Sequence, residues 1–175
     1  PPYGKTFYVI DHSSALPIRC RQLKNPQSTG DAVMLTIKRL SIEDAYILIE
    51  GARARATEIG VPMCIAITDE SGVLIAFERM DGGKVTSTTI AQDKSFTASG
   101  ARKATHEYAA AAQPGKPAYG IDSEIGGRLS IVAGGLPVMV DGDCVGGIGV
   151  SSGTPPQDQD CAQAGIDHFL KKIGK

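Results

Sequence analysis

Polar and apolar positions along this chain follow two different periods, and the changes of period divide it into elements. After Ser41, apolar Ala45, Leu48, Ile49, Ala52, Ala56 and Ile59 recur at helical spacing, forming one stripe of an amphipathic helix. Ser41 with Asp44 three residues later predicts its N-terminal cap, and Gly60 with Pro62 predicts its stop. Residues 61–68 then turn to a period of two. Val61, Met63, Ile65 and Ile67 take one face and the small Cys64 and Ala66 the other, as expected of a strand with a helix lying close over its small side. Asp69-Glu70-Ser71-Gly72 predicts a tight link to a second strand, 73–79, where Val73, Ile75 and Phe77 alternate to complete an antiparallel hairpin.

Helical spacing returns over residues 86–101, where Ser87, Ile90, Ala91, Thr97, Ala98 and Ala101 share a face with Lys94 among them. A shorter helix is predicted from Thr105, as its N-cap, to a stop at Pro114-Gly115. Three short strands are expected at 129–132, 137–140 and 144–150, the last two joined by a turn at Asp141-Gly142. Thr154-Pro155 opens a final helix whose stripe includes Cys161, Ala162, Gly165, Phe169 and Ile173. The order of these elements predicts an α/β domain of the α+β kind, a five-stranded antiparallel sheet flanked by helices, over residues 36–175. Residues 1–35 lack a period and carry Pro1, Pro2, Pro17 and Pro26. They read as an N-terminal extension. Its apolar runs, Phe7-Tyr8-Val9-Ile10 and Ala15-Leu16-Pro17-Ile18, predict packing on the domain or on a neighbouring subunit.

The chain has 175 residues, 42% hydrophobic and 21% charged, with a formal net charge of −1. That balance fits one globular core and gives no basic face for nucleic acid. No apolar run reaches the roughly 18 residues of a membrane span. A soluble protein is expected, cytoplasmic rather than secreted, although a chain beginning Pro1-Pro2 leaves the compartment open. Cys20, Cys64, Cys144 and Cys161 have no C-x-x-C pairing and read as reduced, mostly buried thiols. Glycine is in excess, 21 residues against an average near 7%, with ten between Gly120 and Gly153, so that stretch needs tight turns or close backbone approach.

Several motifs stand in the order of a known family. Ile67-Thr68-Asp69-Glu70-Ser71-Gly72-Val73-Leu74, then Phe77-Glu78-Arg79-Met80-Asp81-Gly82, resembles the opening hairpin of the GlcG/HbpS-like family, which includes the C-terminal domain of PduO. Gln92-Asp93-Lys94-Ser95-Phe96-Thr97-Ala98, Gly134-Gly135-Leu136-Pro137-Val138, Asp141-Gly142 and Val145-Gly146-Gly147-Ile148-Gly149-Val150-Ser151 extend the resemblance over residues 36–173. It implies a profilin-like α/β/α three-layer sandwich that forms dimers or larger homo-oligomers. Some members bind haem, and some are encoded with glycolate or diol metabolism.

Lys94 is the most informative single residue, because a cation on an apolar stripe needs a carboxylate, a carbonyl cage or an anionic ligand. Either it forms an internal pair, with Glu78 or Asp81 as partner, or it sits at the floor of a pocket as an anion grip or base. His106, at the start of the short helix, is disfavoured as imidazolium there, and a neutral ring accepts a proton or ligates iron. His106-Glu107 begins H-E-x-x-H, but Ala110 breaks the pattern. Arg102 and Lys103 are placed to meet carboxylates such as haem propionates. Gly134 and Gly135 are candidate backbone donors to an anion, Arg79 and Asp81 form a charged rim, and Thr97 joins the ligand-binding set from the Lys94 face. His12 and His168 have no partner pattern. Gly146-Gly147-Ile148-Gly149 is not a dinucleotide fingerprint, since no helix follows directly. No nucleophile elbow or P-loop is present.

Two function classes follow. In the first the protein binds a small, anionic ligand, resembling the haem-binding branch, with haem as cofactor, His106 as iron ligand and Arg102 or Lys103 at the propionates. In the second it is a cofactor-independent lyase, isomerase or decarboxylase acting on a small carboxylate or aromatic acid, Arg79 and Lys94 gripping the anion and His106 or Glu107 moving a proton. A purely structural or assembly role ranks last.

Overall fold

The computed structural model describes residues 35–175, so most of the N-terminal extension, with Cys20 and His12, lies outside the described residues. Helix α1 spans Ile42–Glu58 and opens on the expected capping box, with Asp44 N–H donating to Ser41 Oγ and Ser41 N–H donating to Asp44 Oδ2. It is followed by strands β1, Cys64–Asp69, and β2, Leu74–Arg79. Val73 stays outside β2 and is exposed, because Asp69 Oδ1 accepts both the Ser71 and Val73 N–H groups and keeps Val73 in the turn. Next come α2, Ser87–Ala101, and α3, Thr105–Ala111. A 3-10 turn, Ile121–Ser123, leads to α4, Glu124–Gly127, a single turn in which Ile125 and Gly126 have left-handed backbone. Strands β3, Gly135–Val140, and β4, Asp143–Ser151, are joined at Asp141-Gly142, both residues at positive φ as a tight hairpin requires. Helix α5, Pro155–Lys172, closes the chain behind a Thr154/Gln157 capping box.

Among the described residues the sheet has four strands in the order β2-β1-β4-β3, every pair antiparallel. The expected fifth strand, 129–132, is absent for a definable reason. Thr97 Oγ1 accepts the Ser130 N–H at 2.9 Å, and Thr105 Oγ1 donates to the Val132 carbonyl at 2.6 Å. With backbone groups held by side-chain hydroxyls, the segment has less left for a ladder. The same contact corrects a cap: Ala104 is the N-cap of α3, and Thr105 is fully buried inside the first turn.

Helices α1 and α5 pack on each other and on one face of the sheet, while α2 covers the opposite face. Ile65 and Ile67 of β1, Val138 of β3 and Ile148 and Val150 of β4 meet Leu48, Ala52, Ala162 and Phe169 in the main core. Burying each larger aliphatic side chain contributes roughly 1.5–3 kcal/mol. Cys64 and Ala66 meet Ala91 on the other face, so the alternation in β1 was a correct guide. A side chain at Gly149 would fall against the Ala91 carbonyl, and its absence lets α2 lie directly on β4. Ile90, expected on the buried face of α2, is 41% exposed; the buried positions are Ser87, Ala91, Lys94, Ser95, Thr97, Ala98 and Ser99, a face of small and polar residues rotated away from Ile90.

Strand β3 lies at an edge. Its Gly134 carbonyl accepts the Val150 N–H at 2.8 Å, so residues 135 and 137 turn their backbone groups outward. The Gly135 N–H donates to Thr105 Oγ1 at 3.0 Å, and Pro137 has no N–H. This edge is poorly suited to pairing with another strand.

Candidate functional site

Lys94, in the middle of α2, is 1% exposed. Its Nζ donates to Asp158 Oδ2 at 2.8 Å and to the Val150 carbonyl at 2.9 Å. Asp158 is in the first turn of α5, on the other face of the sheet, and its Oδ1 accepts the Gly153 N–H at 2.8 Å. The two helices reach each other past Gly134. A Cβ there would stand 2.8 Å from Lys94 Nζ, 2.6 Å from the Val150 oxygen and 2.7 Å from Asp158 Cβ, and Gly134 holds φ at +115°, where a side chain is strained. Burial lowers the Lys94 pKa, and the Asp158 hydrogen bond and charge oppose that shift. The partner expected from sequence was Glu78 or Asp81. Glu78 instead meets Arg53 at 3.0 Å, and Asp81 is exposed on the loop after β2. A signal for Asp158 was present: it precedes Cys161 by three residues and Ala162 by four, which puts its carboxylate on the buried stripe of α5.

A cleft of about 380 Å³ lies along β3, an edge strand of the sheet among the described residues, between the α2–α3 junction and the C-terminal half of α5. Leu136, Pro137 and Met139 of β3 and Ile166 and Leu170 of α5 supply its apolar surface, and Arg102, Lys103 and Glu107 its charges. Arg102 ends α2 in the left-handed conformation, φ 52°. Glycine or asparagine is usual at such a position, and another residue costs on the order of 1 kcal/mol or more. The Arg102 guanidinium forms no ion pair among the described residues. Lys103 Nζ stands 3.7 Å from Glu107 and 5.2 Å from the Tyr108 ring centre, a loose surface pairing worth well under about 1 kcal/mol. A second cleft, of about 490 Å³, is lined by Ala133, Pro155, Pro156, Gln159, Asp160 and Gln163. Gln163 also lines the first.

The structure therefore brings Arg102, Lys103 and Glu107 together and separates the other candidates from them. His106 is exposed, with no hydrogen-bond partner among the described residues, and is not part of the cleft lining. Arg79 and Asp81 lie at the end of β2, the strand on the opposite edge of the sheet from β3. Thr97 is buried, its hydroxyl donating to the Asp93 carbonyl at 2.7 Å while accepting the Ser130 N–H. The Gly135 amide is taken by Thr105, Gly134 faces the ion pair, and Lys94 lines neither cleft. The cleft's apolar surface was not anticipated from sequence, although Ile166 and Leu170, four apart beside the buried stripe, were a legible hint. Among the described residues no three His, Cys, Asp or Glu side chains converge as a metal-binding group. No helix there is long and apolar enough to cross a membrane.

Residues 40–167 match the family described as haem degrading protein, HbpS-like. An uncharacterized 15.0 kDa protein from the dhaT-dhaS intergenic region of Citrobacter freundii is 37% identical over 133 residues, 76% of this chain and 94% of that protein. The corrinoid adenosyltransferase PduO of the same organism is 35% identical over 127 residues, 73% of this chain but 38% of PduO. The crystal structure of a PduOC:heme complex superposes with a TM-score of 0.72 at 35% identity, covering 74% of this chain and 94% of that one. By a match that spans most of its length and keeps the motif order from the β1–β2 hairpin to β4, the chain belongs to the HbpS-like family.

Proposed function

We propose that this protein binds a small, flat, carboxylate-bearing ligand of the haem class in the cleft between α3, β3 and α5. The observation that carries the reading is Arg102: a guanidinium without an ion-pair partner among the described residues, held at strained backbone beside an apolar surface. Strain kept where glycine would relieve it is a mark of use. Leu136, Ile166 and Leu170 suit the apolar face of a tetrapyrrole, and Arg102 with Lys103 suits propionates. A cleft of about 380 Å³ falls within the usual range for small-molecule sites. His106, outside the cleft lining but adjacent to its Glu107 on α3, is exposed and without a side-chain hydrogen-bond partner among the described residues, and would be the residue to hold the iron. Bound haem would supply an iron centre whose reactivity depends on the residue that holds it. The haem-bound PduOC structure supports the same ligand class. As parts of the same proposal, the layer order is assigned to the profilin-like class and the protein to a homo-oligomer.

The enzyme alternative lacks a comparable observation. Lys94 is engaged by Asp158 and Val150, Arg79 is on the far edge strand, and Glu107 faces Lys103.

Titration of the full chain with haemin tests the reading. A Soret band is expected on binding. Arg102→Ala should weaken binding about tenfold, as loss of a charge-assisted contact implies, without moving the band, and His106→Ala should move the band. No spectral change with the unaltered protein, or equal affinity in Arg102→Ala, would refute it.

A further inference from the structure

Iron in a haem is usually held by a histidine, cysteine, methionine or tyrosine side chain. Among the described residues, the lining of the Arg102 cleft contains a single residue of these types, Met139. His106 lies outside the lining, and so does Tyr108, whose ring stands under Lys103 Nζ. Cys144 is also outside it; its Sγ donates to the Gly146 carbonyl at 3.4 Å, and burial raises its pKa. A thiol held protonated is a poor ligand. On β3, Leu136 and Val138 belong to the main core, so Met139, the next residue, takes the alternate face of the strand and is 41% exposed. Methionine is ordinarily among the buried residue types. Its sulfur accepts no hydrogen bond among the described residues, whereas Met80 Sδ accepts the Met63 N–H at 3.3 Å. Cys144 stands directly across from Met139 in the β3–β4 ladder and feels the Arg102 charge, which places Met139 on the Arg102 side of the cleft.

We infer that Met139 supplies a thioether ligand to the iron of a haem-class molecule bound in this cleft. The inference rests on the haem-class reading and is independent of His106. A thioether is a soft, uncharged donor, so it holds iron without adding a charge beside Arg102, Lys103 and Glu107. A site on a strand is held more precisely than one on a loop, and Val138, fully buried next to Met139, anchors that part of β3. Methionine as an axial ligand raises the reduction potential of the bound group.

Haemin added to the full chain tests this, the complex being read by iron-edge X-ray absorption and by its reduction potential. One sulfur scatterer is expected on the iron with the unaltered protein. Met139→Leu keeps an apolar side chain of similar volume, so it should still bind haemin but lose the sulfur and lower the potential. Cys144→Ala should keep both, which separates the two sulfurs that face each other across the ladder. An iron without sulfur in the unaltered complex, a sulfur that persists in Met139→Leu, or an unchanged potential in that variant overturns the inference. If haemin binding still depends on Arg102, any of those results leaves the haem-class reading standing, whereas no haemin binding by the unaltered protein overturns both.

Discussion

Replacing Lys94 by methionine keeps most of the side-chain volume but removes the charge that compensates Asp158. Both partners are buried, at 1% and 4% side-chain exposure, and they touch at 2.8 Å. Breaking a buried pair by removing one partner costs about 3–5 kcal/mol. Asp158 Oδ1 keeps the Gly153 N–H, so the expected loss for Lys94→Met is near the lower bound, about 3 kcal/mol. Asp158→Leu strands the ammonium and removes the acceptor of the Gly153 N–H, for a loss of similar size. The double variant contains no stranded charge. Its remaining defects are an unpaired amide and one fewer donor to the Val150 carbonyl, so it should lose only about 1–3 kcal/mol. The two single losses should therefore exceed the double loss by at least about 2 kcal/mol. Urea unfolding of the full-length variants, followed by far-ultraviolet circular dichroism, measures all three. If the losses add within about 0.5 kcal/mol, the two charges do not compensate each other and Lys94 is not there to neutralise Asp158.

Two further predictions concern the turn and the edge strand. The Arg39 guanidinium donates to both carboxylate oxygens of Glu70, at 2.7 and 2.6 Å, and lowers the Glu70 pKa from 4.5 to about 2. A depressed carboxylate stabilises the fold fully above its unfolded pKa and loses that contribution as pH falls through its folded value. Arg39→Ala should therefore reduce stability at pH 7 and flatten its decline between pH 4.5 and about 2, read by urea midpoints across that range; an unchanged slope would count against the clamp. Thr105→Val removes the hydroxyl that accepts from Gly135 and donates to Val132. It should cost about 1–3 kcal/mol and speed hydrogen exchange at Gly135, and unaltered exchange there would contradict the role of that hydroxyl.

Local signals were legible where the physics is local. The Ser41/Asp44 box, the Asp141-Gly142 turn and the Thr154-Pro155 start are each settled within four residues of chain. The two faces of β1 are set by side-chain volume alone. Family membership was legible too, because the motifs keep their order. Strand 129–132 failed because its pattern suits a strand equally well whether or not the Thr97 and Thr105 hydroxyls, each at least 27 residues away in sequence, hold its backbone.

The sequence by itself determined the four longer helices, four of the five expected strands, and the demand that a cation at position 94 be neutralised, since these depend on neighbours within a few residues and on the cost of burying charge. Tertiary structure alone decided what meets that demand and where a ligand can sit. Asp158 is 64 residues from Lys94, and the pair closes only because Gly134 leaves an opening at the sheet edge. The cleft likewise exists only where α3, β3 and α5 converge, and no single segment carries enough of its surface to announce it.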